Sequence, residues 1–350
     1  MSLKARSSPE ELTVVIPAFD ARATIVDAVK SALDQRDVEV RVLVGDDGSS
    51  DGTAEIVEAL GESRVEVLRG EHSGIPVVLN RLLERVETPL VARQDADDRS
   101  HPDRLAQQVR FLHAHENIDV VGSAFRYLGG PPAASFPYTE SPTLARWQTF
   151  FWCPLSIATV TARTSALAIG FDPDFDVAED YEFYCRNRSR LAFASLPEPL
   201  VEVRRHADST TARRPERVRE LTLRALEALL ERTLSRPVNP EVAAALYYPD
   251  EVGDANVYGR AIELILELEA LELTANDLEE KTREEIQNDA TERIRRLLGR
   301  GTLSSPRDVL PHFPAWIRRN PGRAIGELAA MGARRVRELA AEWVARRGTV

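Results

Sequence analysis

Three aspartates within four residues, Asp95, Asp97 and Asp98, follow the short apolar run 89–92. Carboxylates this close together repel one another unless a cation lies nearby. In an extended segment alternate side chains share a face, so Asp95 and Asp97 would point the same way across the small Ala96. Oxygen ligands of this kind suit Mn²⁺ or Mg²⁺ and leave room for phosphate oxygens in the coordination shell. From these residues alone, a metal site and a solvated acidic turn that caps the next helix remain equally open.

A second acidic pair, Glu179 and Asp180, stands where a helical pattern begins. Ionised carboxylates are stabilised at a helix N-terminus, so the pair is consistent with helix capping alone. Carboxylates also serve as general bases that remove a proton from a hydroxyl group. His206 follows the predicted strand 201–205 and precedes a polar loop. At this position both a structural role and a role as a ligand residue remain open for His206.

A glycine- and aspartate-rich loop, 45–53, follows the second predicted strand. In open parallel sheets, ligands bind at the carboxyl ends of the strands. The loop lacks the glycine spacing of a dinucleotide fingerprint and the Gly-Lys-Ser/Thr of a P-loop, so its backbone alone is not expected to hold phosphates. Asp47 could accept hydrogen bonds from a base or a ribose, or the loop could be a turn with Ser50 or Asp51 as a helix cap.

The elements around these residues predict an α/β fold with a mostly parallel sheet, because short β-rich runs alternate with helical patterns between residues 11 and 123. The predicted strands are 12–16, which Pro17 should end, 38–44, 64–68, 89–92 and 119–122, and the predicted helices include 24–34, 75–86 and 102–115. This alternation stops after residue 123. From about residue 212 the composition shifts to helix formers, with Ile262, Ile265 and Leu266 at helical spacing, which predicts a second, helical domain.

The composition excludes several classes of protein. A net charge of −11 over 350 residues argues against general binding to nucleic acid, which needs a basic surface. No apolar run approaches the roughly 20 residues that span a bilayer, and the polar first ten residues do not resemble a secretory signal. The two cysteines, Cys153 and Cys185, form no metal-binding spacing and are interpreted as buried small hydrophobes. These features predict a cytoplasmic protein.

Four motifs in a fixed order carry a resemblance to a known family. They are the run from Thr13 to Phe19, the run from Val44 to Thr53, Asp95-Ala96-Asp97-Asp98, and Ala178-Glu179-Asp180-Tyr181. Together they resemble an inverting family 2 glycosyltransferase over about residues 12–211, and a match of four ordered motifs is far more specific than any one of them. The resemblance implies a GT-A fold, with a Rossmann-like nucleotide half at about 11–123 and an acceptor half at about 124–211. Residues 1–10 are then a disordered terminus or a cloning remnant, and 212–350 a C-terminal helical domain.

The resemblance also implies a role for individual residues. Asp47 would hold the nucleotide base, Asp180 beside Glu179 would be the general base, and Asp97 would be the direct metal ligand. Asp95 would support the metal or the ribose, His206 would close the metal site, and Asp98 has no assigned role. The remaining candidates for the donor site are Pro17, Phe19, Asn80 and Arg81.

The expected activity is a single in-line displacement that inverts the anomeric centre. It would move a sugar from a nucleoside diphosphate donor, with UDP-sugars as the first choice, to a hydroxyl of a glycan or glycolipid, with Mn²⁺ or Mg²⁺. No Gln-x-x-Arg-Trp motif follows the second acidic pair, so a non-processive enzyme is expected. The chain departs from the family pattern at Phe19-Asp20, which replaces Tyr-Asn, and at Ile157, where a histidine is common.

Two alternatives remain open. A sugar-phosphate nucleotidyltransferase has a similar fold, but the loop 17–23 has no glycine-rich run to hold phosphates. A non-catalytic glycan-binding or scaffold subunit would not need the acidic residues.

The segment Ile317–Arg347 is basic, with eight arginines and three glutamates, and carries an apolar stripe at helical spacing. Its predicted partner is either a membrane surface near a lipid-linked acceptor, or the body of the protein or a second subunit.

Overall fold

The computed structural model describes residues 10–129, 139–204, 210–251, 254–274 and 278–304. The chain divides into two compact units, Met1–Leu229 and Leu230–Val350. The boundary predicted near residue 212 stays a prediction. Of the predicted disordered terminus, residues 1–9 lie outside the described residues, whereas Glu10 begins the first strand. His206 and Ile317–Arg347 also lie outside the described residues.

The described part of the first unit contains an eight-stranded mixed sheet. Its strands are β1 Glu10–Ala18, β2 Val38–Asp46, β3 Val65–Arg69, β4 Leu90–Arg93, β5 Arg99–Ser100, β6 Val120–Tyr127, β7 Thr161–Arg163 and β8 Phe193–Val203. Their order across the sheet is β3-β2-β1-β4-β7-β6-β8-β5. β1 runs parallel to β2 and β4, β2 to β3, and β6 to β8, while β7 and β5 are antiparallel to their neighbours. The predicted, mostly parallel sheet is therefore confirmed.

Pro17 does not end the first strand as predicted. β1 continues to Ala18, with Pro17 opposite Gly45 and Ala18 opposite Asp46 in the ladder with β2. The ladder with β4 ends at Val15, so β1 has only one hydrogen-bonded neighbour at Pro17. A residue without an N–H is tolerated there for the same reason that proline is tolerated on edge strands.

Helices cover both faces of this sheet. The helices that contribute to the two cores beside the sheet are α1 Ile25–Leu33, α2 Thr53–Glu58, α3 Ile75–Leu83, α4 Arg104–Ala114, α5 Pro142–Gln148, α6 Thr164–Leu167 and α7 Glu179–Asn187. Two further helices, α8 Thr210–Arg213 and α9 Pro215–Leu234, follow them in the chain. Val14 and Ile16 lie in one core with residues of α1 and α4, and Val15 lies in the other with residues of α3 and α7. Because successive side chains of a strand point to opposite faces, both must be apolar, which explains the nearly continuous apolar runs.

The second unit is helical in its described part, as predicted. Its helices are α10 Pro240–Tyr247, α11 Ala255–Thr274 and α12 Glu280–Ser304. Asn239 caps α10 by accepting hydrogen bonds from the backbone N–H groups of Glu241 (3.0 Å) and Val242 (3.2 Å). The predicted apolar positions Ile262 and Ile265 are buried. No helix in the described part of the chain is long and apolar enough to cross a membrane.

Candidate active site

The acidic stretch after β4 is a turn rather than an extended segment. β4 ends at Arg93, the chain turns at Ala96 and Asp97, and β5 begins at Arg99. One carboxylate oxygen from each of Asp95, Asp97 and Asp98 lies within 4.8 Å of the others. The alternation of side chains predicted a site of two residues, Asp95 and Asp97, but the structure has a cluster of three. In an extended chain Asp98 would point to the opposite face, whereas the turn brings it to the same side as the other two.

Asp98 is the most buried member of this cluster. Its Oδ1 accepts a hydrogen bond from the backbone N–H of Arg204 at 2.9 Å, whereas its buried Oδ2 has no hydrogen-bond partner among the described residues. Burial, followed by the nearby charge of Asp95, raises the pKa of Asp98 to about 8. A buried carboxylate oxygen without a donor fits a cation, and the all-oxygen cluster suits Mn²⁺ or Mg²⁺.

Arg93, at the end of β4, was missed by the sequence reasoning. The side chain is buried, and its Nη2 lies 2.7 Å from Oδ1 of Asp95. Burial lowers the pKa of the guanidinium, but attraction to Asp95, Glu179 and Asp180 among others raises it overall. Arg93 is therefore a common counter-charge for both acidic motifs. The sequence did contain a signal for Arg93, because it is a charged residue that ends an apolar strand directly before a cluster of carboxylates.

Arg104, the first residue of α4, lies behind Arg93. Its Nη2 donates to the backbone oxygens of Arg93 (2.7 Å) and Val160 (3.2 Å), and its Nη1 donates to Oγ of Ser100 at 2.8 Å. Burial lowers the pKa of Arg104 to about 9. These bonds fix the end of β4, and with it the start of the acidic turn.

The second acidic pair begins α7. Glu179 is buried, and burial followed by repulsion from Asp180 raises the pKa of Glu179 to about 8. Burial also raises the pKa of Asp180. Oδ1 of Asp180 accepts from the backbone N–H of Tyr181 at 2.7 Å, and the thiol of Cys153 is 3.5 Å from Oδ2. Asp180 thus bonds to the first turn of its own helix and also has a raised pKa, and this bond is compatible with a role as general base.

Asp47 lies at the carboxyl end of β2, as predicted, and is almost fully buried. Its carboxylate accepts hydrogen bonds from Ser73 and Gly74. Nδ1 of His72 lies 2.9 Å from Oδ2 of Asp47 and 3.3 Å from the backbone oxygen of Asp47. The ring of His72 in turn contacts that of Phe19, which is 50% exposed.

Three other donor-site candidates differ in their surroundings. Pro17 lies within β1, two residues before Phe19. Arg81 donates from Nη2 to the backbone oxygens of Asp46 (3.2 Å) and Leu68 (3.4 Å), close to the end of β2. Asn80 exchanges two hydrogen bonds with the backbone of Phe171, at 2.8 and 2.7 Å, so its amide holds two segments of the chain together.

The segment that leads to His206 is attached to the acidic turn. Besides its backbone bond to Asp98, Arg204 donates from Nε to the backbone oxygen of Asp97 at 3.3 Å. His206 itself lies outside the described residues. Ile157, which replaces a common histidine, is buried in the short 3₁₀ helix Ile157–Thr159.

The segment that carries Asp47 and the acidic turn is similar to known proteins. Residues 13–160 match the family model described as Glycosyl transferase family 2. Over these residues, called here the family 2 segment, the chain is similar to that family. The family 2 segment carries both Asp47 and the Asp95–Asp98 turn, and Glu179 and Asp180 follow it in the chain.

Individual relatives cover different parts of the chain. EpsE of Bacillus subtilis is 28% identical over 46% of this chain and 59% of EpsE, and TuaG of the same organism is 36% identical over 29% of this chain and 41% of TuaG. The chain thus spans about half the length of these curated relatives. The structure of S. aureus TarS in complex with UDP-GlcNAc is similar with a TM-score of 0.55 and 18% identity, over 81% of this chain and 88% of TarS. This likeness confirms the predicted transferase fold.

Proposed function

We propose that the family 2 segment and the helices that follow it form a metal-dependent glycosyltransferase. It moves a sugar from a nucleoside diphosphate donor to a hydroxyl group of a glycan or glycolipid, with inversion and without processive transfer. The observation that carries the proposal is the cluster of Asp95, Asp97 and Asp98, with their oxygens within 4.8 Å of one another.

The cluster supports a role in holding the donor diphosphate. Mn²⁺ or Mg²⁺ would be held by Asp95, Asp97 and the Oδ2 of Asp98, which has no hydrogen-bond partner in the described part of the chain, with His206 as a further ligand. A divalent ion there supplies positive charge for the diphosphate leaving group. The chain needs such a charge because its own net charge is −11.

Asp180 is the proposed general base. Its raised pKa brings it closer to neutral pH, where a base is most effective in taking a proton from a hydroxyl group. The attacking hydroxyl displaces the diphosphate in one step, so no covalent intermediate on the protein is required. Glu179, with its pKa raised to about 8, sits beside this base and is proposed to orient it.

The relatives support the choice of donor and acceptor. The similar structures of TarS were obtained with UDP and with UDP-GlcNAc, which favours a uridine nucleotide for this chain. ExoO of Rhizobium meliloti, 30% identical over 40% of this chain, is named a succinoglycan biosynthesis protein, which favours a polysaccharide precursor as the acceptor.

A thermal-shift screen with Mn²⁺ tests the proposal without knowledge of the acceptor. UDP, UDP-GlcNAc and other nucleoside diphosphate sugars would be added to the whole chain, because a bound donor raises the melting temperature according to its concentration relative to Kd. We expect at least one donor to stabilise the protein, and only when Mn²⁺ or Mg²⁺ is present.

Matched variants make this screen specific. Asp97→Asn should lose the metal-dependent shift, whereas Asp174→Asn, which changes an exposed aspartate outside the acidic turn, should retain it. The absence of a shift with every donor, or an unchanged shift in Asp97→Asn, would contradict the proposal.

A further inference from the structure

The residue before the second acidic pair has an unfavourable backbone conformation. Ala178, the N-cap of α7, has a φ of 59° and a ψ of 25°, which is the left-handed region. A Cβ makes this region unfavourable, and a short polar side chain that bonds locally is the usual compensation. The other non-glycine residues with positive φ in the described part of the chain are two aspartates and a serine, so Ala178 alone among them lacks such a side chain.

The conformation of Ala178 determines where α7 begins. Its backbone oxygen accepts a hydrogen bond of the first helical turn, from the N–H of Glu182 at 3.1 Å. Glu179 and Asp180 follow Ala178 directly. A change of φ at Ala178 would therefore move both carboxylates relative to the strands that precede them.

The segment that leads to Ala178 is anchored by two apolar side chains. Phe175 and Val177 are both buried. The side chain of Asp176 between them is 35% exposed. Asp176 is thus turned away from the core and toward other polar groups.

Two arginines bind the carboxylate of Asp176. Arg214, the residue between α8 and α9, donates from Nη2 to Oδ2 at 2.5 Å, and Arg217 in α9 donates from Nε to Oδ1 at 3.1 Å. Burial by itself would raise the pKa of Asp176, but the hydrogen bonds from Arg214 and Arg217 lower it overall. The carboxylate is therefore ionised at neutral pH, and each of its oxygens is bonded to an arginine.

A third arginine attaches α9 to the same segment. Cζ of Arg224 lies 4.8 Å from the ring centroid of Phe175, which is a cation–π contact. Arg217 and Arg224 are about two turns apart on α9 and so lie on the same face of that helix. This face of α9 therefore contacts the residues just before Ala178.

The other end of the segment is attached to α3 and α7. Nη2 of Arg186 in α7 donates to the backbone oxygen of Gly170 at 2.8 Å, and Asn80 in α3 exchanges its two hydrogen bonds with the backbone of Phe171. The segment 170–177 is thus fixed at both ends. The ion pairs of Asp176 lie two residues before Ala178, at the end that leads into the acidic pair.

We propose that Asp176, bound by Arg214 and Arg217, is a positioning residue that holds Ala178 in the left-handed conformation and thereby places Asp180 for catalysis. The two ion pairs offset the unfavourable backbone conformation of Ala178. The catalytic part of this inference rests on the proposed function, because that function makes Asp180 the general base. The attachment of the segment to α9 does not depend on it.

Hydrogen exchange tests the attachment without any substrate. In the whole chain, Asp176→Ala should speed exchange of the backbone N–H groups at the start of α7, including that of Glu182, roughly 3- to 10-fold, the size expected for two partly exposed ion pairs. Exchange in α4 should not change, which shows that the fold is intact. The matched control is Asp174→Ala, which removes the same charge from the same segment. Asp174 is 77% exposed and lies 3.8 Å from Arg224, so this variant should leave α7 unaffected.

A glycine at position 178 separates the proposed role from a general loss of packing. Glycine adopts the left-handed region without the cost that a Cβ brings, so in Ala178→Gly the ion pairs of Asp176 should be needed less. We expect Asp176→Ala to speed exchange less in the Ala178→Gly background than in the wild type. Equal effects in the two backgrounds, or unchanged exchange in Asp176→Ala, would overturn the inference.

The catalytic consequence is measured with UDP-GlcNAc and Mn²⁺. Asp176→Ala should lower kcat for donor hydrolysis roughly 3- to 10-fold, again the size expected for two partly exposed ion pairs, and should leave the Kd of UDP-GlcNAc from calorimetry unchanged. The loss of kcat should be smaller in the Ala178→Gly background. If UDP-GlcNAc is not hydrolysed, other nucleoside diphosphate sugars replace it.

The two measurements keep the inference and the proposed function apart. An unchanged kcat in Asp176→Ala, or a weaker Kd with the same kcat, would overturn the placement of Asp180 by Asp176. Failure of every donor to be hydrolysed by the wild type would contradict the proposed function and the catalytic part of the inference with it. Hydrogen exchange would still decide whether Asp176 holds the start of α7.

Discussion

The thiol of Cys153 lies 3.5 Å from Oδ2 of Asp180, the proposed general base, and 3.2 Å from the backbone oxygen of Leu155. Burial, followed by the charge of Asp180, raises the pKa of this thiol well above its usual range. Cys153 therefore stays protonated, and its single S–H group donates to one of the two acceptors at a time. Its bond to Asp180 favours the ionised form of the base and so lowers the pKa of that carboxylate.

Removal of this donor should change the pH dependence of catalysis. In Cys153→Ala, the acidic limb of the rate of donor hydrolysis should move to higher pH by about half a unit, because a weak hydrogen bond to the ionised base is lost. Cys153→Ser retains a donor and should restore the wild-type profile. An acidic limb that does not move in Cys153→Ala would show that the thiol only fills space.

Arg93 should be essential for stability as well as for the site. Arg93→Met leaves the partly exposed Asp95 without its ion pair and removes a counter-charge from Glu179 and Asp180, so we expect a loss of about 2–3 kcal/mol in the free energy of unfolding. Urea denaturation of the whole chain would measure it. The matched control is Arg99→Met, which breaks an exposed pair with Asp27 and should cost about 1 kcal/mol or less. Similar losses in both variants would contradict this prediction.

Glu179 should make the folded protein less stable as the pH rises. Its pKa is about 8 in the folded state against an ordinary value of 4.5, so between these values the folded state binds more protons than the unfolded state. The free energy of unfolding therefore falls as the pH increases through this window. Glu179→Gln cannot ionise, and we expect its melting temperature to exceed that of the wild type by about 2–4 °C at pH 8.5 and by less at pH 5. Calorimetry at the two pH values would measure the difference in melting temperature between Glu179→Gln and the wild type. A difference that is larger at pH 5 than at pH 8.5 would contradict this prediction.

Metal binding should strengthen with pH over the range in which Asp98 titrates. Asp98 has a pKa of about 8 in the structure, and a carboxylate must lose its proton before it can bind a cation. The rise in melting temperature caused by Mn²⁺ should therefore be larger at pH 8.5 than at pH 6.5. Asp98→Asn has no group to titrate at this position, so its Mn²⁺ shift should be smaller and should depend less on pH. A wild-type shift that is equal at both pH values would contradict this role of Asp98.

Much of the fold could be predicted from sequence because its signals are local. The apolar residues of β1 alternate between two buried cores, so a strand covered on both faces can be recognised from five consecutive residues. The acidic turn and the Glu179–Asp180 pair were found for the same reason, since each is a short run of residues with unusual chemistry. The extension of β1 through Pro17 was missed, because it depends on where the ladder with β4 ends.

The sequence by itself determined the alternating α/β pattern, the order of the acidic motifs and the chemical class of the site. Tertiary structure alone decided the partners of these residues. It placed Arg93 among carboxylates from two motifs, bonded the carboxylate of Asp47 to Ser73 and Gly74, and brought Cys153 to Asp180. The physical reason is that a hydrogen bond or an ion pair depends on distances of a few ångströms between residues far apart in the chain. Those distances follow from how strands and helices pack, and no local pattern of residues specifies them.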